Sequence, residues 1–305
     1  MRNLPRHLAE GGTVQAGLIR AHQRAARRSL LLDYDGTLVP FKRDPMLARP
    51  DSELLDLLAK LGTTAGNEVA IVSGRARRDL EEWFGQLPVA LAAEHGVWLR
   101  PRRGEWRMLK ALTTEWKPHV RPVLQVFVDR LPGAWLEEKE FALAWHYRRA
   151  DPEQALPTSR ELLGALAGFT RSLGVQVLEG NKVLEVRNAG ISKGAAAKEW
   201  LGAMRAEFVL AIGDDRTDED LFRALPATAW SVRVGPGQTA ARYYLNSHMA
   251  VRRLLWALVP QPPVAERARA WAEDIRAGAG RRKQGRGKGT DPAAVPGKGQ
   301  AIKGG

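Results

Sequence analysis

Four short apolar runs, each ending abruptly in polar side chains, constrain the fold of this chain more than any other feature. They are Leu30-Leu31-Leu32 before Asp33-Tyr34-Asp35, Val69-Ala70-Ile71-Val72 before Ser73-Gly74-Arg75, Val89-Ala90-Leu91-Ala92-Ala93 before Glu94-His95-Gly96, and Phe208-Val209-Leu210-Ala211-Ile212 before Gly213-Asp214-Asp215. A run without polar alternation is buried on both faces, the condition of a strand inside a parallel sheet. Helical spacings lie between the runs. LLDLLAKLG follows Asp51 and Ser52, either of which can cap it, and ARRDLEEWFG follows Arg75. Strand and helix in alternation predict a right-handed parallel α/β layer, a Rossmann-like core. In such sheets ligands bind beyond the carboxyl ends of the strands, where strand order reverses.

The rhythm changes between about 97 and 190. A short β-rich link with Gly104 at a turn is followed by a helix near 113–131 and strands near 134–138 and 141–148. A helix near 153–172 and strands near 175–178 and 182–187 complete the segment. This αββαββ order predicts an inserted α+β domain, with helices on one face of an antiparallel sheet. The parallel pattern returns at Ser192-Lys193-Gly194. It continues through the 208–212 strand, a helix from about Asp218, a last core strand at 228–234 and a closing helix after 250. The expected segments are a basic lead-in over 1–28, helical at 15–28, a core over 29–107 and 191–262, an insertion over 108–190, and a tail over 277–305.

The net charge of +13 raises nucleic acid as a partner, but its distribution argues against a specific one. The tail carries seven basic residues against Asp291 alone, is rich in glycine and lacks aromatics, so it is expected to be disordered. The rival it suggests is non-enzymatic polyanion binding, salt-sensitive and confined to the tail. The chain has no cysteine, which excludes disulfides and thiolate chemistry. No apolar run approaches the roughly 20 residues of a membrane span, and the N-terminal stretch lacks a signal-peptide core. A cytoplasmic location is expected.

Asp33, Asp35, Asp214 and Asp218 crowding one crevice would raise one another's pKa, so a cation is expected among them. With no Cys in the chain and no His within these motifs, all-oxygen ligation favours Mg²⁺. Adding Lys193 and the Ser73 hydroxyl makes a sensible phosphate site. One Asp can attack phosphorus; a second, two residues on, can protonate the leaving oxygen and then activate water. Gly36 lets the chain turn immediately afterwards. Blander roles compete. Ser73 caps a helix, Lys193 is solvated, and Asp218 is a helix-start residue favoured by the dipole. His95 and His146 are structural, and Trp83, Trp98, Trp106, Trp116 and Trp145 pack cores and interfaces.

In order and spacing, DYDGT, VSGR, SKG and GDDRTDED resemble the four motifs of haloacid dehalogenase-like phosphatases. EHG at 94–96, EEKEFALAWHYR at 137–148 and EGNKVLEVR at 179–187 narrow the resemblance to trehalose-6-phosphate phosphatases, over about residues 28–258. The resemblance implies an Asp33 nucleophile and Asp35 as general acid and base. It implies phosphate contacts from Ser73, Gly74 and Lys193. Mg²⁺ would be held by Asp33, the Asp35 carbonyl and Asp214, with Asp218 in support and Asp215 behind. The insertion becomes a cap that closes over the sugar. Glu137, Lys139, Lys182 and Glu185, with Arg75, Glu94, His95, His146 and Arg187, are the expected substrate contacts. Glu140 stands where the family commonly has Gly, and Asn188 where it commonly has Pro. The implied activity is Mg²⁺-dependent hydrolysis of trehalose 6-phosphate through an aspartyl-phosphate, by a monomer with a small-molecule substrate and no membrane partner. The rivals are a phosphatase for sucrose 6-phosphate or mannosyl-3-phosphoglycerate, a phosphomannomutase-like phosphate transferase, and a regulatory pseudophosphatase. Intact Asp33, Asp35, Lys193 and Asp214 speak against the last.

Overall fold

The computed structural model describes residues 5–42 and 45–260. β1 (Arg6–His7) and α1 (Thr13–Arg24) lead into β2 (Arg28–Leu32), α2 (Ser52–Thr63), β3 (Asn67–Val72), α3 (Arg77–Phe84), β4 (Ala90–Ala93), β5 (Trp98–Arg100) and β6 (Arg107–Met108). Next come α4 (Lys117–Arg130), β7 (Trp135–Glu138), β8 (Ala142–His146), α5 (Pro152–Ser172), β9 (Val175–Gly180) and β10 (Val183–Asn188). The chain then returns through α6 (Lys193–Ala203), β11 (Phe208–Gly213), α7 (Arg216–Ala224), β12 (Trp230–Val234), β13 (Tyr243–Leu245) and α8 (His248–Leu258).

Among the described residues, nine strands form one sheet in the order β1-β13-β12-β11-β2-β3-β4-β5-β6. Every pairing from β1 to β4 is parallel; β5 and β6 add an antiparallel edge. The apolar runs are buried on both faces because helices cover both. In β2, Leu30 and Leu32 pack into the layer with α2 and α8, and Leu31 packs into the layer with α6 and α7. Each of these fully buried leucines contributes about 2 kcal/mol of transfer free energy. Strand order reverses at β2, between β3 and β11. The ends of β2 and β11 are therefore neighbours, tied by Asp33 N–H donating to the Ile212 carbonyl at 2.9 Å.

The insertion forms a second sheet, β7-β8-β10-β9, antiparallel throughout. Its side chains alternate. Leu143, Trp145, Leu184 and Val186 join the core under α4 and α5. Glu137, Ala144 and Glu185 share one register row on the opposite face. That alternation gives the cap one apolar and one polar face.

Several expected boundaries move. The lead-in helix ends at Arg24 rather than 28, because Arg28 N–H donates to the Gly66 carbonyl and draws the chain into β2. The helix expected from Asp218 starts at Arg216, because the Asp215 carboxylate caps it. The strand at 228–234 is not the last, since β13 and β1 extend the sheet beyond it. No helix among the described residues is long and apolar enough to cross a membrane. The tail over 277–305 lies outside the described residues.

Candidate active site

Asp33 follows β2 directly, and its Oδ1 accepts from Lys193 Nζ at 2.6 Å. Lys193 is the first residue of α6, whose N-cap Ser192 accepts from Ala195 N–H. Helix placement thus buries the ammonium, which is no solvated surface lysine. Its second bond goes to Asp218 Oδ1 at 2.8 Å. Asp218 Oδ2 accepts from the backbone N–H of Asp214 and Asp215 at 3.0 and 3.1 Å, so it pins the loop after β11. Asp215 in turn accepts from Thr217 N–H and Asp218 N–H, completing a capping box.

Gly36 has φ +85°, and a Cβ there would lie 2.4 Å from Asp214 Oδ2. Only glycine permits both that turn and that approach. Asp33, Asp214 and Asp218 each bring an oxygen to within 4.8 Å of the others. Burial, then the charges of Asp33, Asp215 and Asp218, push Asp214 up to about 10. Burial likewise raises Asp33 and Asp218, against the pull of Lys193. Lys193 stays charged because Asp218 and Asp33 outweigh the cost of its burial. One ammonium cannot neutralise three such carboxylates, and the buried Oδ2 of Asp33 has no hydrogen-bond partner. This all-oxygen donor set fits a hard divalent cation such as Mg²⁺.

Asp35 departs from the cluster. Its carboxylate is clasped by Arg75, Nε to Oδ2 at 2.8 Å and Nη2 to Oδ1 at 2.6 Å. Arg75 itself lies over the rings of Trp83 and Tyr34. The Ser73 hydroxyl accepts from Arg75 N–H at 3.1 Å, shaping the loop ahead of α3 rather than capping that helix, whose N-cap is Ala76.

The polar face of the cap lies opposite these groups across a cavity of about 730 Å³. Lys139 Nζ spans it, donating to the Gly74 carbonyl at 3.0 Å and to Glu185 Oε2 at 2.5 Å. Glu137 pairs with His146 at 2.7 Å; burial opposes its charge, but Lys139 and His146 hold it at about 2. Glu94 and His95 both sit at positive φ, 50° and 58°. That strained turn lets Glu94 Oε2 accept from Phe141 N–H in the cap, while His95 Nε2 lies 3.4 Å from Glu185. Burial beside Arg187 and Lys193 keeps His95 neutral.

The cavity therefore gathers Asp33, Asp35, Ser73, Gly74, Arg75, Glu94, His95, Glu137, Lys139, His146, Glu185, Lys193 and Asp215. Two expected contacts are not among its lining. Lys182 is exposed in the β9–β10 turn at φ +61°, and Arg187 is buried beside Glu185. The sequence reading passed over Thr37, Trp135 and Arg148. Thr37 Oγ1 donates to Asp214 Oδ1 at 3.3 Å, Trp135 stacks on His146, and the Arg148 guanidinium lies 5.2 Å from the Phe41 ring centroid. Thr37 and Arg148 stand inside the DYDGT and HYR motifs, which was the available signal; Trp135 lies two residues ahead of the 137–148 motif and carried none.

A parallel sheet that presents paired aspartates and a buried lysine at its switch point, under an inserted cap, defines the class of haloacid dehalogenase-like hydrolases. A hydrolase of that kind from Bacteroides thetaiotaomicron superposes with a TM-score of 0.54 at 17% identity, over 75% of this chain and 98% of that one, a likeness of fold. Within the class, residues 31–248 match the trehalose-phosphatase family model, and the chain belongs to that family. It is 44% identical over 237 residues to a bifunctional trehalose-6-phosphate synthase/phosphatase of Thermoproteus tenax, covering 78% of this chain and 32% of that protein. The chain thus spans about a third of the length of that relative. The C-terminal domain of the Candida albicans trehalose-6-phosphate phosphatase superposes with a TM-score of 0.79 at 30% identity, over 84% of this chain and 99% of that one.

Proposed function

We propose that the chain hydrolyses trehalose 6-phosphate to trehalose and inorganic phosphate, through an aspartyl-phosphate on Asp33. The observation that carries this reading is the asymmetry of Asp33: Oδ1 is fixed by Lys193, and Oδ2 is buried without a partner. An unsatisfied carboxylate oxygen held at one angle is suited to in-line attack. The Asp33 carboxylate bonds to phosphorus as the phosphorus–sugar oxygen bond breaks, and Asp35 supplies the proton that leaves with the sugar. Asp35 then takes a proton from water as that water attacks phosphorus, which frees phosphate and restores Asp33. Arg75 donates to both Asp35 oxygens, a clasp that favours the ionised form needed to take the proton from water and that must open for Asp35 to carry a proton in the first step. Lys193, Ser73 and the Gly74 backbone receive the phosphoryl oxygens.

Mg²⁺, when bound, would neutralise the carboxylates and the charge developing on the phosphoryl group. Asp33, the Asp35 carbonyl and Asp214 would hold it, with Asp218 orienting the loop beneath. The charged face of the cap, Glu137, Lys139 and Glu185, would read sugar hydroxyls. Names of the relatives, and a cavity of about 730 Å³ lined by both core and cap residues, support trehalose 6-phosphate as the substrate. Replacing Asp33 with Asn tests the chemistry. Phosphate release should fall by at least ~10³-fold, with the melting profile kept; near-normal turnover would sink the mechanism.

A further inference from the structure

Lys117 opens α4, is buried, and does not line the cavity. Its Nζ donates to the Lys139 carbonyl at 2.5 Å, the Glu140 carbonyl at 2.8 Å and Glu138 Oε1 at 3.2 Å. An ammonium has three protons, so its donors are fully committed, all to the end of β7 and the turn that follows. That turn runs Lys139-Glu140-Phe141 before β8 and contains neither glycine nor proline, the residues that usually fix such geometry. Side chains leave the same turn toward the core. Lys139 reaches the Gly74 carbonyl, and Glu140 pairs with Arg77 of α3 at 3.4 Å.

We propose that Lys117 is a positioning residue for sugar recognition: its ammonium gathers the carbonyls of the 139–140 turn and so sets where the Lys139 side chain enters the cavity. It does this without touching substrate. With Lys117 gone, two carbonyls lose their shared donor, the turn relaxes, and Lys139 shifts relative to Gly74 and Glu185. Small misplacements of a binding group can cost on the order of 100-fold in rate. Lys117 Nζ bonds only the 138–140 segment and reaches the phosphate loop indirectly, through Lys139 on the Gly74 carbonyl, so chemistry on a substrate without a sugar is largely spared.

The inference rests on the proposed reading of the cap as the sugar-binding wall. The test compares the wild-type chain with Lys117→Met and Lys117→Gln on trehalose 6-phosphate and on p-nitrophenyl phosphate, with thermal melts of each. Either folded variant should lose about tenfold or more in kcat/KM for trehalose 6-phosphate, carried mainly by KM. Turnover of p-nitrophenyl phosphate should stay within about twofold of wild type, and Lys117→Arg should recover part of the sugar-phosphate loss. Equal loss on both substrates would mean a structural role only, and no loss on either would mean no role; both overturn the proposal. Wild-type activity on trehalose 6-phosphate reports separately on the proposed function; its absence defeats that reading and this inference together.

Discussion

Lys193 donates to Asp33 and Asp218 from a position with 2% exposure, so both carboxylates depend on one buried cation. Lys193→Met leaves them facing each other in a low-dielectric site, at a cost on the order of 3 kcal/mol. It also removes the donor proposed for the transferring phosphoryl group, so phosphate release should fall by ~10²-fold or more. Urea unfolding and a phosphate-release assay check both; a variant as stable and as active as wild type contradicts the charge balance described here. Residue types at this scale were legible because Asp33, Asp35, Ser73, Lys193 and Asp214 stand at the ends of readable elements. The clasp of Arg75 on Asp35 was not, since it joins residues 40 positions apart and depends on how two loops settle. Lys182 illustrates the converse: a motif position whose backbone lies in a turn and whose side chain is exposed.

Asp215 works at the level of an element. It caps α7, and α7 carries Asp218, which pins the backbone of Asp214. Asp215→Ala should cost about 1 kcal/mol through the lost cap, read as a lowered melting temperature. Activity should fall as well, because Asp218 loses its fixed approach to Lys193; Asp215→Asn, which keeps a capping oxygen, should retain most stability. An Ala variant with unchanged stability would remove the cap from the account. Periodicity located α2, α3 and the cap helices well, but it missed where α1 stops and α7 starts. Those boundaries are decided by a sheet hydrogen bond at Arg28 and by the Asp215 side chain, neither of which is visible as an apolar period. β1 and β13 were missed because strands of two and three residues carry too little pattern.

Across the whole molecule, acid stability is coupled to α1. His22 packs edge-on to Phe208 of β11 and is 1% exposed; burial and then Arg28 hold its pKa down to about 4. Its unfolded value is near 6.5, so the unfolded chain takes the proton first as pH falls. The stability that neutral His22 allows is complete above pH ~6.5 and is lost between there and about pH 4, about 2 kcal/mol of it by pH 5. Between pH 7.5 and 5, urea unfolding should show wild type losing about 2 kcal/mol more than His22→Leu; parallel profiles would contradict it. The division into a parallel core and an inserted α+β cap was legible because the apolar patterning changes at about 97 and back at 192. How the cap meets the core was not, for it rests on Lys139, Glu94 and Glu140 crossing between them. The central claim concerns that meeting: a metal-assisted core turning over one sugar phosphate chosen by the cap. Phosphate release from trehalose 6-phosphate, sucrose 6-phosphate, glucose 6-phosphate and mannosyl-3-phosphoglycerate, each with Mg²⁺ and with EDTA, tests it most directly. The account predicts release from trehalose 6-phosphate alone, abolished by EDTA; release that survives EDTA, or that favours another sugar, would contradict it.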